Sequence, residues 1–167
     1  MKISNKLKDP GGLVRAVRAL KKKGKKIVFT NGCFDIIHVG HTRCLKKARR
    51  LGGALVVAVN SDASVKRLKG PGRPVNPEKD RIEVLSEFPF VDLVVIFNET
   101  TPYKVIKAVL PDVLVKGGDW DVKNIVGGDI VSKNGGRVLN IPYIKGRSTT
   151  KIIQKAGKKW IKKQRET

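Results

Sequence analysis

The sequence has few acidic residues, few aromatic residues, only two cysteines and no long hydrophobic run. Cys33 and Cys44 cannot form a disulfide framework or a four-cysteine zinc site, so a reducing compartment is expected. No apolar stretch approaches the roughly 20 residues that span a bilayer. Residues 1–12 lack the apolar segment of a signal peptide. These absences argue against the membrane, secreted and fibrous classes and favour a cytoplasmic protein.

The scarcity of acids leaves a strongly basic chain, in which 36 Lys and Arg against 14 Asp and Glu give a net charge of +22 over 167 residues. Ten basic residues and one acid give residues 1–26 a charge of +9, and seven and one give residues 151–167 a charge of +6. Residues 27–150 retain only +7. Basic ends of this kind are compatible with binding to nucleic acid or an acidic membrane, or with a solvated surface.

Short β-branched and apolar runs alternate with segments of helical periodicity. The predicted strands are residues 26–30, 54–60, 91–97, 112–118 and 137–142. The predicted helices are residues 13–23 and 41–51, a helix with Asn76 as N-cap and Pro77 at its first position, residues 101–110 with Thr101 as N-cap, and a last helix from Ser148. Residues 66–76 are predicted to form a loop. The alternation predicts an α/β fold, a doubly wound, Rossmann-like parallel sheet of five strands in a single domain.

Ligands of such sheets bind beyond the carboxyl ends of the strands, so the segment after the first predicted strand is the first place to look. It contains both histidines of the chain, His38 and His41, at the entry to a helix. A helix N-terminus favours anions, and imidazoles there can donate to phosphate oxygens. The alternatives are a capping histidine beside a packed one, or a zinc site, for which Asp35 is the only nearby acid.

The stretch NGCFDIIHVGH, residues 31–41, resembles the signature of the H-x-G-H nucleotidyltransferase superfamily. Residues 59–81, 112–120 and 135–152 resemble the adenylyltransferase domain of the ADP-heptose synthase family, in the same order along the chain. The resemblance covers roughly residues 25–157. It implies three parts, which are a basic helical segment (1–24), a nucleotidyltransferase domain (25–157) and the basic end of the last helix (158–167).

The resemblance implies transfer of AMP from ATP to D-glycero-β-D-manno-heptose 1-phosphate, with release of pyrophosphate. Mg²⁺ would be held mainly by the ATP phosphates. A sugar kinase would reside on a separate chain or a missing domain, and a homodimer is compatible with the family. One alternative is a cytidylyltransferase acting on glycerol 3-phosphate or a similar alcohol phosphate. A second is a basic nucleic-acid-binding protein on the same fold, although the chain lacks the interleaved aromatic residues typical of such proteins.

The resemblance also implies roles for individual residues. Those expected to act in catalysis, through the triphosphate, are His38, His41, Lys69 and Arg81. Those expected to bind nucleotide or sugar phosphate are Asn31, Gly32, Cys33, Phe34, Asp35, Gly40, Arg73, Lys116, Gly118, Asp119, Ser148, Thr149 and Thr150. Asp35 would either fix the turn or face the sugar phosphate. Trp120 would stack on a sugar or base, or fill the core.

Overall fold

The computed structural model describes residues 5–118, 120–142, 149, 152, 153 and 155. Within them, one parallel sheet positions the helices and loops. Its strands are β1 (Leu7–Lys8), β2 (Ile27–Gly32), β3 (Ala54–Asn60), β4 (Leu93–Phe97), β5 (Val113–Gly117) and β6 (Arg137–Ile141). Their order is β1-β4-β3-β2-β5-β6, and every pair is parallel. The predicted α/β class and parallel sheet are confirmed. The strand number is wrong, since β1 adds a sixth strand too short to show a periodic pattern.

Helices connect the strands. They are α1 (Pro10–Lys22), α2 (Val39–Arg49), α3 (Asp62–Lys69), α4 (Glu78–Glu87), α5 (Tyr103–Val109) and α6 (Gly128–Lys133), with a 3-10 turn at Val122–Asn124. Helices α3 and α6 were not predicted. Lys69 is therefore the last residue of a helix rather than part of a loop. Ser61 begins this helix by accepting the backbone N–H of Ser64 on its hydroxyl at 3.1 Å.

Two predicted helix starts are wrong by one residue. Pro77 is the N-cap of α4 and Pro102 that of α5, and neither helix has a side-chain cap. Asn76 does not cap α4 because its side-chain amide donates to the backbone oxygen of Asp35 at 2.8 Å. The predicted start of the last helix, Ser148, lies outside the described residues.

Helices cover both faces of the sheet, so the core has two layers. On one side, called the α1 face, Leu13 and Val17 of α1 pack with Ile106 of α5. On the other, called the α2 face, Leu45 of α2 packs with Ile82 of α4. All seven residues of β3 are buried, as expected for a central parallel strand. In the described part of the chain, no helix is long and apolar enough to cross a membrane.

The strand order places a topological switch beside β2. From β2 the chain proceeds through β3 to β4 on one side, and then crosses to β5 on the other side of β2. In open α/β sheets the ligand crevice lies at this point, outside the carboxyl ends of the strands. The segment that follows Gly32, at the end of β2, is therefore at the centre of the binding edge.

Candidate active site

A cavity opens at this edge of the sheet, and its volume of about 490 Å³ is typical of small-molecule sites. Its lining includes residues predicted from the sequence and residues that were not. The predicted ones are Asn31, Gly32, Cys33, Phe34, Asp35, His38, His41, Lys69, Arg73, Lys116 and Thr149. Gly40 and Gly118 do not line the cavity, and Asp119, Ser148 and Thr150 lie outside the described residues. The sheet thus brings together most of the predicted site that the structure describes.

The two histidines form a reciprocal cap at the start of α2. His38 is the N-cap and its Nδ1 accepts the backbone N–H of Gly40 at 3.0 Å, while Nδ1 of His41 accepts the backbone N–H of His38 at 3.4 Å. A neutral imidazole carries one proton, so a ring that accepts at Nδ1 has its N–H at Nε2. The local fold thereby sets one tautomer for both rings, whose centroids are 4.0 Å apart.

His41 is neutral at physiological pH. Burial, and to a smaller extent the nearby His38, lower the pKa of His41 from 6.5 to about 4. The imidazole therefore offers an uncharged N–H donor over the whole neutral range. Such a donor can bind a phosphate oxygen without first taking up a proton.

Gly32 and Phe34 shape the turn between β2 and α2. Phe34 has a positive φ of 49°, and its ring lies so close to Gly32 that a Cβ there would come within 3.2 Å of it. The same ring lies 5.4 Å from that of His41, measured between centroids. A side chain at position 32 would require the Phe34 ring to shift by a few tenths of an ångström.

Among the described residues, three cations line the cavity, namely Lys69, Arg73 and Lys116. Nζ of Lys116 lies 3.2 Å from Oδ1 of Asn31. The pKa of Lys116 is lowered mainly by burial, with Lys69 adding to the effect. Burial likewise raises the pKa of Cys33, which favours its thiol form. The excess of positive charge suits a polyanionic ligand.

Asp35 holds the loop that carries Arg73. The residue is 2% exposed. Its Oδ1 accepts the backbone N–H groups of Val75 at 2.7 Å and Asn76 at 3.0 Å, and its Oδ2 accepts the Nε–H of Arg73. Both carboxylate oxygens are thus bonded within the protein. Of the two roles expected for Asp35, this geometry favours fixing the turn over facing a sugar phosphate.

Arg81 lies behind the cavity wall, because it is 1% exposed and is not among the residues that line the cavity. Its guanidinium donates to the backbone oxygen of Asn76 at 3.1 Å, to that of Cys33, and to Oδ1 of Asp62 at 2.8 Å. It joins the turn after β2, the loop before α4 and the start of α3. This geometry assigns Arg81 a positioning role, which differs from the direct phosphate contact expected from the sequence.

Sequence reasoning missed several lining residues. They are Thr30, Cys44, Leu45, Asn60, Leu68, Thr100, Thr101, Pro102, Asn124, Ile125 and Val126. Asn60 ends β3, and Thr100 follows β4 closely. The rule that ligands bind after the strands would have identified these two polar residues. Two roles were expected for Trp120, stacking on a ligand or filling the core. The residue lines the cavity and is 51% exposed.

Comparison with known proteins identifies the family of the chain. The cytidylyltransferase-like family model matches residues 29–155, about three quarters of the chain. The chain belongs to this family. The nucleotidyltransferase superfamily predicted from the H-x-G-H motif is confirmed.

Curated relatives include the bifunctional protein HldE of Citrifermentans bemidjiense, 50% identical over 151 residues, and that of a Nitratiruptor species, 56% identical over 136 residues. These matches cover 90% and 81% of this chain but only 31% and 29% of the relatives. The chain therefore spans about a third of the length of the curated relatives it matches.

Solved structures show the same fold. A lipopolysaccharide core biosynthesis protein from Thermoplasma volcanium has a TM-score of 0.62 and 31% identity, over 73% of this chain and 100% of that one. A pantoate-beta-alanine ligase from Francisella tularensis has a TM-score of 0.60 at 16% identity, covering 86% of this chain and 68% of that one. At such low identity the second likeness supports the fold alone.

Proposed function

We propose that this chain transfers AMP from ATP to D-glycero-β-D-manno-heptose 1-phosphate, forming ADP-heptose and pyrophosphate. The observation that carries the proposal is the histidine pair at the start of α2, with both N–H donors fixed at Nε2 beside a cation-lined cavity. The choice of sugar rests on the motifs shared with the ADP-heptose synthase family. The likeness to HldE proteins and to a lipopolysaccharide core biosynthesis protein supports it.

The reaction needs no covalent intermediate on the protein. A phosphate oxygen of the sugar forms a bond to the α-phosphorus in line, while the bond from that phosphorus to the bridging oxygen of pyrophosphate breaks. His38 and His41 would donate to the oxygens on which negative charge develops, and the N-terminus of α2 would add its partial positive charge. Lys69 and Arg73 would neutralise the leaving pyrophosphate. Catalysis would thus consist of positioning and charge stabilisation.

The motif around Thr149 would hold the β- and γ-phosphates. The hydroxyl of Thr149 donates to the backbone oxygen of Ile36 at 3.3 Å, which ties it to the turn that precedes the histidines. Ser148 and Thr150 would contribute hydroxyl and backbone donors, and Asp119 would accept from ligand hydroxyls. These last three roles rest on the family resemblance.

Magnesium would enter with ATP. Among the described residues, no group of three or more His, Cys, Asp or Glu could hold a metal ion. Asp35, the carboxylate lining the described cavity, has both oxygens engaged. This donor set fits a metal carried by the triphosphate and water, where it would shield the phosphate charges.

The sugar phosphate would come from a kinase on another chain or on another part of a longer protein. The curated relatives are named bifunctional and extend well beyond the matched region. A homodimer and a cytoplasmic location are further parts of the proposal.

A second candidate is a cytidylyltransferase acting on glycerol 3-phosphate or a similar alcohol phosphate, favoured by the description of the matching family. Pyrophosphate release separates the two candidates. The chain is incubated with Mg²⁺, each nucleoside triphosphate and a panel of sugar and alcohol phosphates. We expect release with ATP and heptose 1-phosphate. Release with CTP and an alcohol phosphate alone would replace the first proposal with the second.

A further inference from the structure

The acceptor must approach the α-phosphorus from the side opposite the leaving pyrophosphate, because the displacement is in line. Of the groups proposed to hold the pyrophosphate, Arg73 is bonded to Asp35 and Thr149 to Ile36, both in the turn between β2 and α2. Phe34 of this turn packs in the core of the α2 face. The acceptor is therefore expected along the opposite wall of the cavity, toward the α1 face.

The segment after β5 and the loop after β4 form that opposite wall. Ile125 and Ile106 both belong to the core of the α1 face. The two segments touch, since a Cβ at Gly127 would come within 2.8 Å of the Ile106 side chain. Lys116 projects to this face as well, because side chains alternate along a strand and Leu114, two residues earlier, packs on the α1 face.

The side chains of this wall differ in chemical character from those around His38 and His41. Its polar members are the uncharged side chains of Thr100, Thr101 and Asn124, which form no side-chain hydrogen bond within the described part of the chain. Trp120 exposes half of its surface here, and its backbone oxygen is held by the side-chain amide of Asn140 at 2.9 Å. Hydroxyl and amide groups suit sugar hydroxyls, and an aromatic face suits the apolar C–H face of a pyranose.

Lys116 connects the wall to the reacting centre. Its Nζ lies 3.2 Å from Oδ1 of Asn31, at the end of β2, and 5.6 Å from the centroid of the Trp120 ring. A sugar packed on Trp120 would thus have its phosphate within reach of this ammonium group.

We infer that Trp120, Thr100, Thr101 and Asn124 form the subsite for the acceptor sugar, with Trp120 packing against the sugar ring and Lys116 binding its phosphate. This inference rests on the proposed transfer to a sugar phosphate. It makes Trp120 a determinant of acceptor binding rather than of ATP binding.

Steady-state kinetics of the full chain test the inference. Trp120→Ala is expected to raise the KM for heptose 1-phosphate about 3- to 10-fold, with the Kd for ATP unchanged within about twofold. Trp120→Phe, which keeps an aromatic face, should restore most of the affinity. Tyr103→Ala is the matched control, since Tyr103 is also an exposed aromatic residue (40%) but does not line the cavity. A rise in the ATP Kd at unchanged acceptor KM, or no change in either, would overturn the inference.

Fluorescence separates this inference from the proposed function. The sequence has two tryptophans, Trp120 and Trp160, so Trp160→Phe leaves Trp120 as the only indole reporter. A saturable fluorescence change on adding heptose 1-phosphate to the chain with a non-hydrolysable ATP analogue is the expected result. If the wild-type chain uses a different acceptor phosphate, the proposed function is wrong. The same titration and the same KM measurements, made with that acceptor, then still show whether Trp120 binds the acceptor. A change with nucleotide alone, and none with any acceptor phosphate, refutes the subsite.

Discussion

Nδ1 of His41 accepts the backbone N–H of His38 at 3.4 Å, so the second histidine of the pair holds the N-cap residue of its own helix. His38 in turn accepts the N–H of Gly40. Both rings thus accept a backbone N–H at Nδ1, which places the N–H of each neutral ring at Nε2. The contacts that begin helix α2 and the donors proposed for catalysis belong to the same two side chains.

Replacing His41 is therefore expected to reduce turnover without abolishing the fold. His41→Ala should lower kcat by at least about 10², the cost typical of removing one donor to developing charge. His41→Gln should retain more activity, because its amide nitrogen can donate from nearly the same position as Nε2. Pyrophosphate release measures both, and circular dichroism verifies folding. Near-normal turnover in folded His41→Ala would leave only a capping role for this residue.

Stability should depend on pH through His41. Its pKa is about 4 in the folded chain and 6.5 ordinarily, so between these values the unfolded chain binds more protons than the folded one. Stability should consequently fall as the pH drops from about 6.5 to 4, by up to about 1.4 kcal/mol per pH unit. Urea unfolding at several pH values measures this, with His41→Gln as the control. An unaltered slope in that variant would contradict the assignment.

Substitution of Arg81 is expected to act mainly on the stability of the fold and only indirectly on turnover. Arg81→Met removes three hydrogen bonds from a buried position and should lower the free energy of unfolding by about 3 kcal/mol. Asp62→Asn should cost less than Arg81→Met, because the Asp62 side chain is 42% exposed and asparagine keeps an oxygen at the position of Oδ1. Denaturant unfolding tests both. If Arg81→Lys instead kept full stability and lost most of its kcat, the direct phosphate contact expected from the sequence would be restored.

Lys69 should act on the triphosphate from the end of α3. Lys69→Ala is expected to lower kcat/KM for ATP at least about tenfold, since it removes a cation that lines the cavity. Lys66→Ala is the matched control, because Lys66 lies on the same helix, is exposed and does not line the cavity. Equal losses of kcat/KM in the two variants would indicate a general effect of charge on substrate attraction. Raising the salt concentration would then abolish the loss in each variant.

Local patterns were sufficient to predict the elements next to the site. The β2–α2 unit was recognisable because an apolar strand, a glycine turn and a helix-period segment follow one another within residues 26–51. The hydrogen bonds of buried Arg81 could not be predicted from local patterns, because its bond to Cys33 joins residues 48 apart in the sequence. The same holds for Asp35, which binds Val75 and Asn76 across 40 and 41 residues. A sequence indicates which groups are present, but such pairings depend on how the loops fold back over the sheet.

Helix α3 was missed for a different reason. Its eight residues include three basic ones, Lys66, Arg67 and Lys69, and the residues just after it are rich in glycine and proline. Only Ser64 and Val65 are buried, so no apolar stripe was visible. The capping serine before it was the remaining signal.

Helix α1 carries part of the positive charge of residues 1–26. Arg15 and Arg18 are exposed on this helix, while Leu13 and Val17, interleaved with them, belong to the core. Deleting the basic segment would therefore remove core packing along with the charge, and any loss of function would report unfolding as readily as electrostatics. The charge has to be changed in place, for example with Arg15→Gln and Arg18→Gln. In this protein Arg15 and Arg18 are part of a supporting helix and cannot be treated as a detachable tail.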